Sequence, residues 1–300
     1  MMQAEGIVNV LKPPGMTSSN VVSDVRKLFG LKRVGHTGTL DPGAAGVLPI
    51  CLGRATRLFD FLVDKEKEYI AEIAFGTRTD TQDSYGHIVE RDDVHITSEQ
   101  LNDALPAFLG AQQQIAPAYS ALKSEGKALY ELARSGQEVP ERIRRITVHA
   151  LELLDQTDKG RFLLRIRCSR GTYVRTLCED IGRNLGTCSH MSFLLRTASG
   201  EFRVENAHSI QELSDLRAAG KLQEAVISTE QAVAFLPAIH ISDAAEVFRL
   251  QNGCTAELPE NPVLCENTYC RVYGENFLGV GVSAPEGLKL KLHLESCETE

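Results

Sequence analysis

Hydrophobic positions recur with two periods along this chain, and the alternation between them predicts a mixed fold. Ile7, Val8, Val10 and Leu11 make a short apolar run closed by Lys12-Pro13-Pro14-Gly15, a strand followed by a turn. Val21, Val22, Val25, Leu28 and Phe29 then fall at helical spacing, with Ser18 or Ser19 as the cap and Gly30 as the stop. Residues 56–63 suggest a short helix. Residues 68–75 suggest a strand with Tyr69, Ala71, Ile73 and Phe75 on one face. Thr97 and Gln100 form a capping box ahead of Leu101, Leu105, Phe108 and Leu109. Phe162, Leu164, Ile166 and Cys168 alternate with Arg161, Leu163, Arg165, Arg167 and Ser169, the pattern of a strand with one basic face. A helix follows from about Thr172, with Val174, Leu177, Cys178, Ile181 and Leu185 inward and Gly186 at its end. Residues 209–233 read as helical. From about Leu236, short strands punctuated by Gly253, Gly274, Gly279, Gly281 and Gly287 suggest a small β domain. The expectation is an α+β (mixed α/β) fold, divided as 1–236 and 237–300.

The chain has 300 residues, 43% of them apolar, enough for one large domain with an appendage. No segment approaches a membrane span. Met1-Met2-Gln3-Ala4-Glu5-Gly6 lacks a basic stretch followed by an apolar one, so a cytoplasmic protein is expected. The eight cysteines include no Cys-x-x-Cys pair, which argues against a zinc ribbon and, in the cytosol, against disulfides. Net charge is -8 but unevenly spread. Arg26 to Arg57 holds six bases against Asp41, and Arg142 to Arg175 holds nine against Glu152, Asp155 and Asp158. Residues 201–300 carry sixteen acids and seven bases, so the deficit lies there. Two basic segments ahead of an acidic end allow a polyanion on one face; the alternative is solvated charge.

The chemistry concentrates in Gly35-His36-Thr37-Gly38-Thr39-Leu40-Asp41-Pro42-Gly43-Ala44-Ala45-Gly46-Val47-Leu48. Four glycines and a proline exclude regular structure and let a ligand approach the backbone, so the run reads as a platform presenting His36 and Asp41. A lone Asp-Pro-Gly is more often just a turn; here the apolar run Val47 to Leu52 carries the loop into the core. Arg175 falls in the first turn of its helix, where the macrodipole disfavours a cation, so a carboxylate partner is expected. A surface arginine is the plainer alternative. Asp80 and Asp83 lie near His87, but their spacing compels no metal site.

The loop resembles the signature G-H-x-G-x-L-D-P-x-A-x-G-V-L of the TruB family, the bacterial tRNA pseudouridine-55 synthases. The likeness extends through Lys12-Pro13-Pro14-Gly15, Lys67-Glu68-Tyr69, the run Pro117 to Gly136, Cys168-Ser169-Arg170-Gly171-Thr172-Tyr173-Val174-Arg175-Thr176-Leu177, and Met191 to Phe202. It thins beyond that, where the small domain resembles the family's PUA-type appendage but departs from it in acidity. The resemblance implies a pseudouridine-synthase-like domain with a largely antiparallel central sheet, isomerising uridine to pseudouridine in the T loop of tRNA. It makes Asp41 the catalyst, acting at ribose C1′ or on the 2′ proton, with Arg175 its ion-pair partner and Tyr69 stacked on the uracil. His36 is the wedge that replaces the flipped base, and Tyr173 packs beneath the site. Lys12, Arg170 and Leu194 are expected to contact substrate RNA. No metal or cofactor is expected, and the enzyme is expected to be a monomer. The competing readings are a non-catalytic RNA-binding protein and a metal-dependent phosphoesterase built on His36, Asp41, Asp80 and Asp83.

Overall fold

The computed structural model of the chain describes residues 4–120, 122–124, 126–257 and 264–294, with Lys123 and Ser124 described in their backbone only. Ala121 and Glu125 of the Pro117–Gly136 motif, Cys297 and the first three residues lie outside them.

A ten-stranded sheet organises the described residues. Its main path runs Val226–Ile227, Gly6–Lys12, Ala45–Leu52, Ser189–Ser199, Lys67–Phe75, Arg161–Cys168, Ile143–Asp158, Gly110–Ile115. Every pairing along it is antiparallel except Ala45–Leu52 with Ser189–Ser199, the joint beside which the Asp41 loop emerges. The alternation at 162–168 is realised: Phe162, Leu164, Ile166 and Cys168 are wholly buried. Burying each such side chain is worth about 1.5–3 kcal/mol. Helix Val174–Asn184 covers this face through Val174, Leu177, Cys178 and Ile181.

The basic face of strand Arg161–Cys168 is not free. Arg161 pairs with Glu72 at 2.9 Å, Arg165 with Glu152 at 3.1 Å and Arg167 with Glu66 at 3.7 Å. Carboxylates on neighbouring elements therefore consume much of the charge that the sequence offered to a polyanion.

Three expectations need correction. The first helix, Ser18–Phe29, is capped by Thr17, whose Oγ1 accepts from the Asn20 N–H at 3.1 Å. Ser18 is turned inward instead, donating to Leu40 O at 3.1 Å and accepting from Leu40 N at 2.9 Å. Residues 209–233 are not one helix. A capping box at Ser209 starts helix Ile210–Ala218, Gly220 at φ 71° breaks it, and Val226–Ile227 joins the large sheet. The acidic end is not only strands, since helix Ala244–Gln251 precedes most of its four-stranded sheet (Ala238–His240, Tyr269–Tyr273, Phe277–Ala284, Gly287–His293). That sheet rests on the large one: Val280 and Leu294 share an apolar cluster with Val47, Leu58, Leu62 and Val233. Among the described residues, no helix is long and apolar enough to cross a membrane.

Candidate active site

The loop carrying Asp41 leaves strand Val34–His36 and returns into strand Ala45–Leu52, its antiparallel partner. Three buried polar side chains hold it from behind. Ser18 clamps Leu40, the residue before the aspartate, through both its backbone groups. Lys12, 0% exposed, donates from Nζ to Ala44 O at 2.7 Å and to Pro42 O at 3.2 Å, and to Met16 O and Pro13 O on its own turn. Arg196, 2% exposed, donates from Nε to Val47 O at 2.7 Å and from Nη2 to Gly38 O at 3.1 Å. Gly46 is required here, because a Cβ on it would stand 2.2 Å from Arg196 O. The close approach of these two parallel strands depends on that missing side chain.

Lys12 thereby corrects an expectation. Its ammonium is enclosed and spent on carbonyls, so it braces the loop and does not reach an RNA phosphate. Burial pushes its pKa down to about 8, and Arg196 adds to that while Asp41 opposes it.

Arg175 enters the site from the second residue of helix Val174–Asn184. It is 4% exposed, and its Nη2 lies 3.4 Å from Asp41 Oδ2 while Nη1 lies 3.9 Å from Asp83 Oδ2. Nη2 also donates to Tyr119 O at 2.9 Å and Nη1 to Thr81 O at 3.3 Å. The guanidinium thus has carboxylates on two sides and carbonyls beyond, which answers the electrostatic objection to a cation at a helix start. The helix start is itself fixed by Gln114, which accepts from Tyr173 N at 2.8 Å and donates to Tyr173 O at 3.0 Å. The Arg175 guanidinium lies 5.7 Å from the Tyr173 ring centre, a cation–π distance.

A cavity of about 380 Å³ opens over this pair, lined by His36, Asp41, Tyr69, Tyr173, Arg175 and Leu194, with Arg170 also bordering it. The structure therefore gathers every expected site residue except Lys12. Asp41 is 37% exposed in its side chain, so one carboxylate faces both the cavity and the guanidinium. Tyr69 stands on strand Lys67–Phe75 directly opposite Arg196 of the neighbouring strand. Burial holds the Tyr69 phenol above its usual range, while the neighbouring Arg196 guanidinium pulls the other way. Burial, and then Arg196, lowers the His36 pKa. Its Nδ1 accepts from Gly38 N at 3.2 Å, which leaves the neutral ring's proton on Nε2. Arg170 reaches outward to Asp64 at 2.5 Å.

Sequence reasoning missed Ser18's clamp, Asp83, Gln114 and Arg196 as parts of this site. For Arg196 a signal existed, a charged residue one step beyond Leu194-Leu195 in an apolar strand. In the sequence Asp83 stands with Asp80 near His87, a spacing that compels no metal site and gives no sign of Arg175. Its Oδ1 accepts from Thr81 Oγ1 at 2.6 Å and Tyr85 N at 3.0 Å, and its other oxygen faces Arg175. Among the described residues, no three His, Cys, Asp or Glu side chains are grouped so as to hold a metal ion.

Residues 26–174 match the TruB family pseudouridylate synthase (N terminal domain), and residues 175–234 match the tRNA pseudouridylate synthase B C-terminal domain. A tRNA pseudouridine synthase B of Caldanaerobacter subterraneus subsp. tengcongensis is 42% identical over 291 residues, 97% of this chain and 98% of that one. The chain belongs to the TruB family of pseudouridylate synthases. Its members isomerise uridine to pseudouridine, and this chain is such an isomerase. A tRNA pseudouridine synthase B of Bacillus cytotoxicus is 43% identical, covering 89% of this chain and 91% of that one. Among solved structures, the chain is similar to one in a Cbf5-Nop10-Gar1 complex, with TM-score 0.73 and 26% identity over 97% of this chain and 84% of that one. A chain from an H/ACA RNP bound to a substrate RNA containing 2'-deoxyuridine shares the fold, at TM-score 0.75 and 24% identity, over 98% of this chain and 86% of that one. The mixed architecture with its largely antiparallel sheet is thus that of the family.

Proposed function

We propose that this chain converts the T-loop uridine at position 55 of tRNA to pseudouridine, acting as a monomer in the cytoplasm. In this reading residues 1–236 carry the chemistry and residues 237–300 form an RNA-binding appendage. The observation that carries it is a single carboxylate, Asp41, set against a buried guanidinium at the floor of a cavity that also holds Tyr69. The named activity of the curated relatives supports tRNA as the substrate.

The reaction breaks the N1–C1′ bond, rotates the base and joins C5 to C1′; C5 loses a proton and N1 gains one. No atom leaves the nucleotide apart from exchanged protons, so one carboxylate beside the sugar suffices, acting at C1′ or at the 2′ hydrogen. Two carboxylates, by contrast, serve when water must be activated. Arg175 aims Asp41, its Nη2 lying 3.4 Å from Oδ2, and sets a buried positive charge against the carboxylate. Tyr69 stacks on the uracil and stands where the C5 proton must leave. Tyr173 and Leu194 wall the base in, and the neutral His36 ring takes the stacking place of the extruded base, offsetting a flipping cost of a few kcal/mol. Arg170 supplies charge to the RNA backbone.

Carbodiimide labelling followed by primer extension on a treated full-length tRNA transcript locates the product. The expected result is one new stop, at the T-loop uridine. Labelling at another uridine, or at none, would remove the positional assignment.

A further inference from the structure

Loop 80–87 carries an aromatic ring that neither the fold nor the proposed chemistry uses. Tyr85 is 72% exposed, which is unusual for a large ring that also touches the protein closely. Its contact is with the catalytic loop. A Cβ added to Gly43 would fall 2.0 Å from Tyr85 Cε2 and 2.6 Å from Cζ, so the ring lies flush on the backbone of Gly43. Gly43 is two residues from Asp41, which places this contact within about 7 Å of chain from the catalyst.

The loop beneath the ring is tightly built. Tyr85 N donates to Asp83 Oδ1 at 3.0 Å, His87 N donates to Asp80 Oδ1 at 2.8 Å, and Asp80 N donates to His87 O at 3.0 Å. Gln82 adopts a left-handed φ of 64°, and its carbonyl accepts from Met191 N at 3.0 Å. Ser84 Oγ donates to Ser192 O at 3.4 Å. Hydrogen bonds to strand Ser189–Ser199 thus anchor the loop on the cavity's own wall. A ring held this way, with glycine behind it, meets a flat ligand with little ordering cost.

We propose that Tyr85 is a stacking platform for a nucleobase of the substrate RNA that flanks the target uridine. Extruding the target unstacks its neighbours, and an exposed aromatic face lying on the catalytic loop can take one of them. Stacking needs no hydrogen-bond match, since every base has a π-face. The carboxylates of Asp80 and Asp83 are turned into the loop and toward Arg175, so the platform offers a ring rather than a charge. The inference rests on the reading that RNA enters this cavity.

The chain contains no tryptophan, so Tyr85→Trp installs a single fluorescent reporter at the platform. Titrating that full-length variant with a T-arm hairpin transcript should quench its emission. In direct binding, Tyr85→Ala and Tyr85→Leu should weaken affinity by roughly fivefold to a hundredfold, the range for losing one base–aromatic stack. Tyr85→Phe should bind as the wild type does. Replacing flanking bases of the hairpin one at a time by abasic nucleotides should identify one position whose loss matches Tyr85→Ala and does not add to it. The proposal is overturned if Tyr85→Ala and Tyr85→Leu bind normally. It is equally overturned if their defect appears in melting temperature and kcat at saturating RNA, with affinity unchanged, for then the ring only braces Gly43. Wild-type turnover of the same hairpin, measured alongside, separates failure of this platform from failure of the substrate reading.

Discussion

Replacing Arg175 by methionine tests the electrostatic centre of the site. The side chain is almost wholly buried, with Asp41 Oδ2 at 3.4 Å and Asp83 Oδ2 at 3.9 Å. At about 4 Å and an effective dielectric near 20, each attraction is worth roughly 4 kcal/mol before desolvation. Desolvation cancels much of that, and removing one member of a buried pair costs about 3–5 kcal/mol because the other charge stays behind. Asp41 is 37% exposed and can rehydrate, whereas Asp83 is 14% exposed and cannot do so fully. The lower end of the range, about 3 kcal/mol, is therefore expected. At about 2–4 °C per kcal/mol for a domain of this size, the melting temperature should fall by roughly 6–12 °C. Turnover should fall much further, by about a hundredfold or more, since each 1.36 kcal/mol of lost transition-state stabilisation is a factor of ten. Arg175→Lys keeps the charge but loses the fork that also reaches Thr81 and Tyr119, so it should melt close to the wild type and still turn over slowly. Single-turnover isomerisation and thermal melts of both variants decide it. Rates within twofold of wild type for both would refute the pairing.

Arg196→Met should lower both kcat and melting temperature, because the carbonyls of Val47 and Gly38 lose their donor at about 1–3 kcal/mol each; an unchanged kcat would remove Arg196 from the site. Lys12 gives a pH signature. Its folded pKa, pushed down to about 8, lies below its ordinary 10.5, so between those values the unfolded chain binds more protons and Lys12's contribution to stability rises with pH. The unfolding free energy of wild type minus that of Lys12→Met should therefore climb from pH 8 toward pH 10, by at most about 1.4 kcal/mol per unit, and a flat difference would contradict the burial of this ammonium. A chain ending at Phe235 should melt lower and bind more of an apolar dye, since Val280 and Leu294 no longer cover Leu58 and Leu62; an unchanged melt would make the small sheet an independent attachment.

Much of this site was legible because its residues break the surrounding patterns. Glycine and proline density marked the Asp41 loop, and a cation at a helix start pointed from Arg175 toward a carboxylate. Strict alternation at 162–168 and helical spacing at 174–185 likewise survived folding intact. Strand Ile143–Asp158 was not seen, because irregularities at Val148/Ala150, Leu153/Asp155 and Gln156/Asp158 repeatedly reset its inward face. Nor does the sequence distinguish a buried charge from a solvated one. Lys12 looks like a surface turn lysine until the carbonyls of Pro42 and Ala44 are seen around it. Asp83 and Gln114 act through partners more than fifty residues away, a relation that local pattern does not carry.

The most direct test of the account is release of tritium to water from a tRNA transcript carrying C5-tritiated uridine, comparing wild type with Asp41→Asn. The substitution keeps the shape of the side chain and leaves the phosphate-binding surface untouched. The account predicts full release by wild type, essentially none by Asp41→Asn, and equal RNA affinity for the two. Release by the variant at more than a few per cent of the wild-type rate would contradict Asp41 as the catalyst.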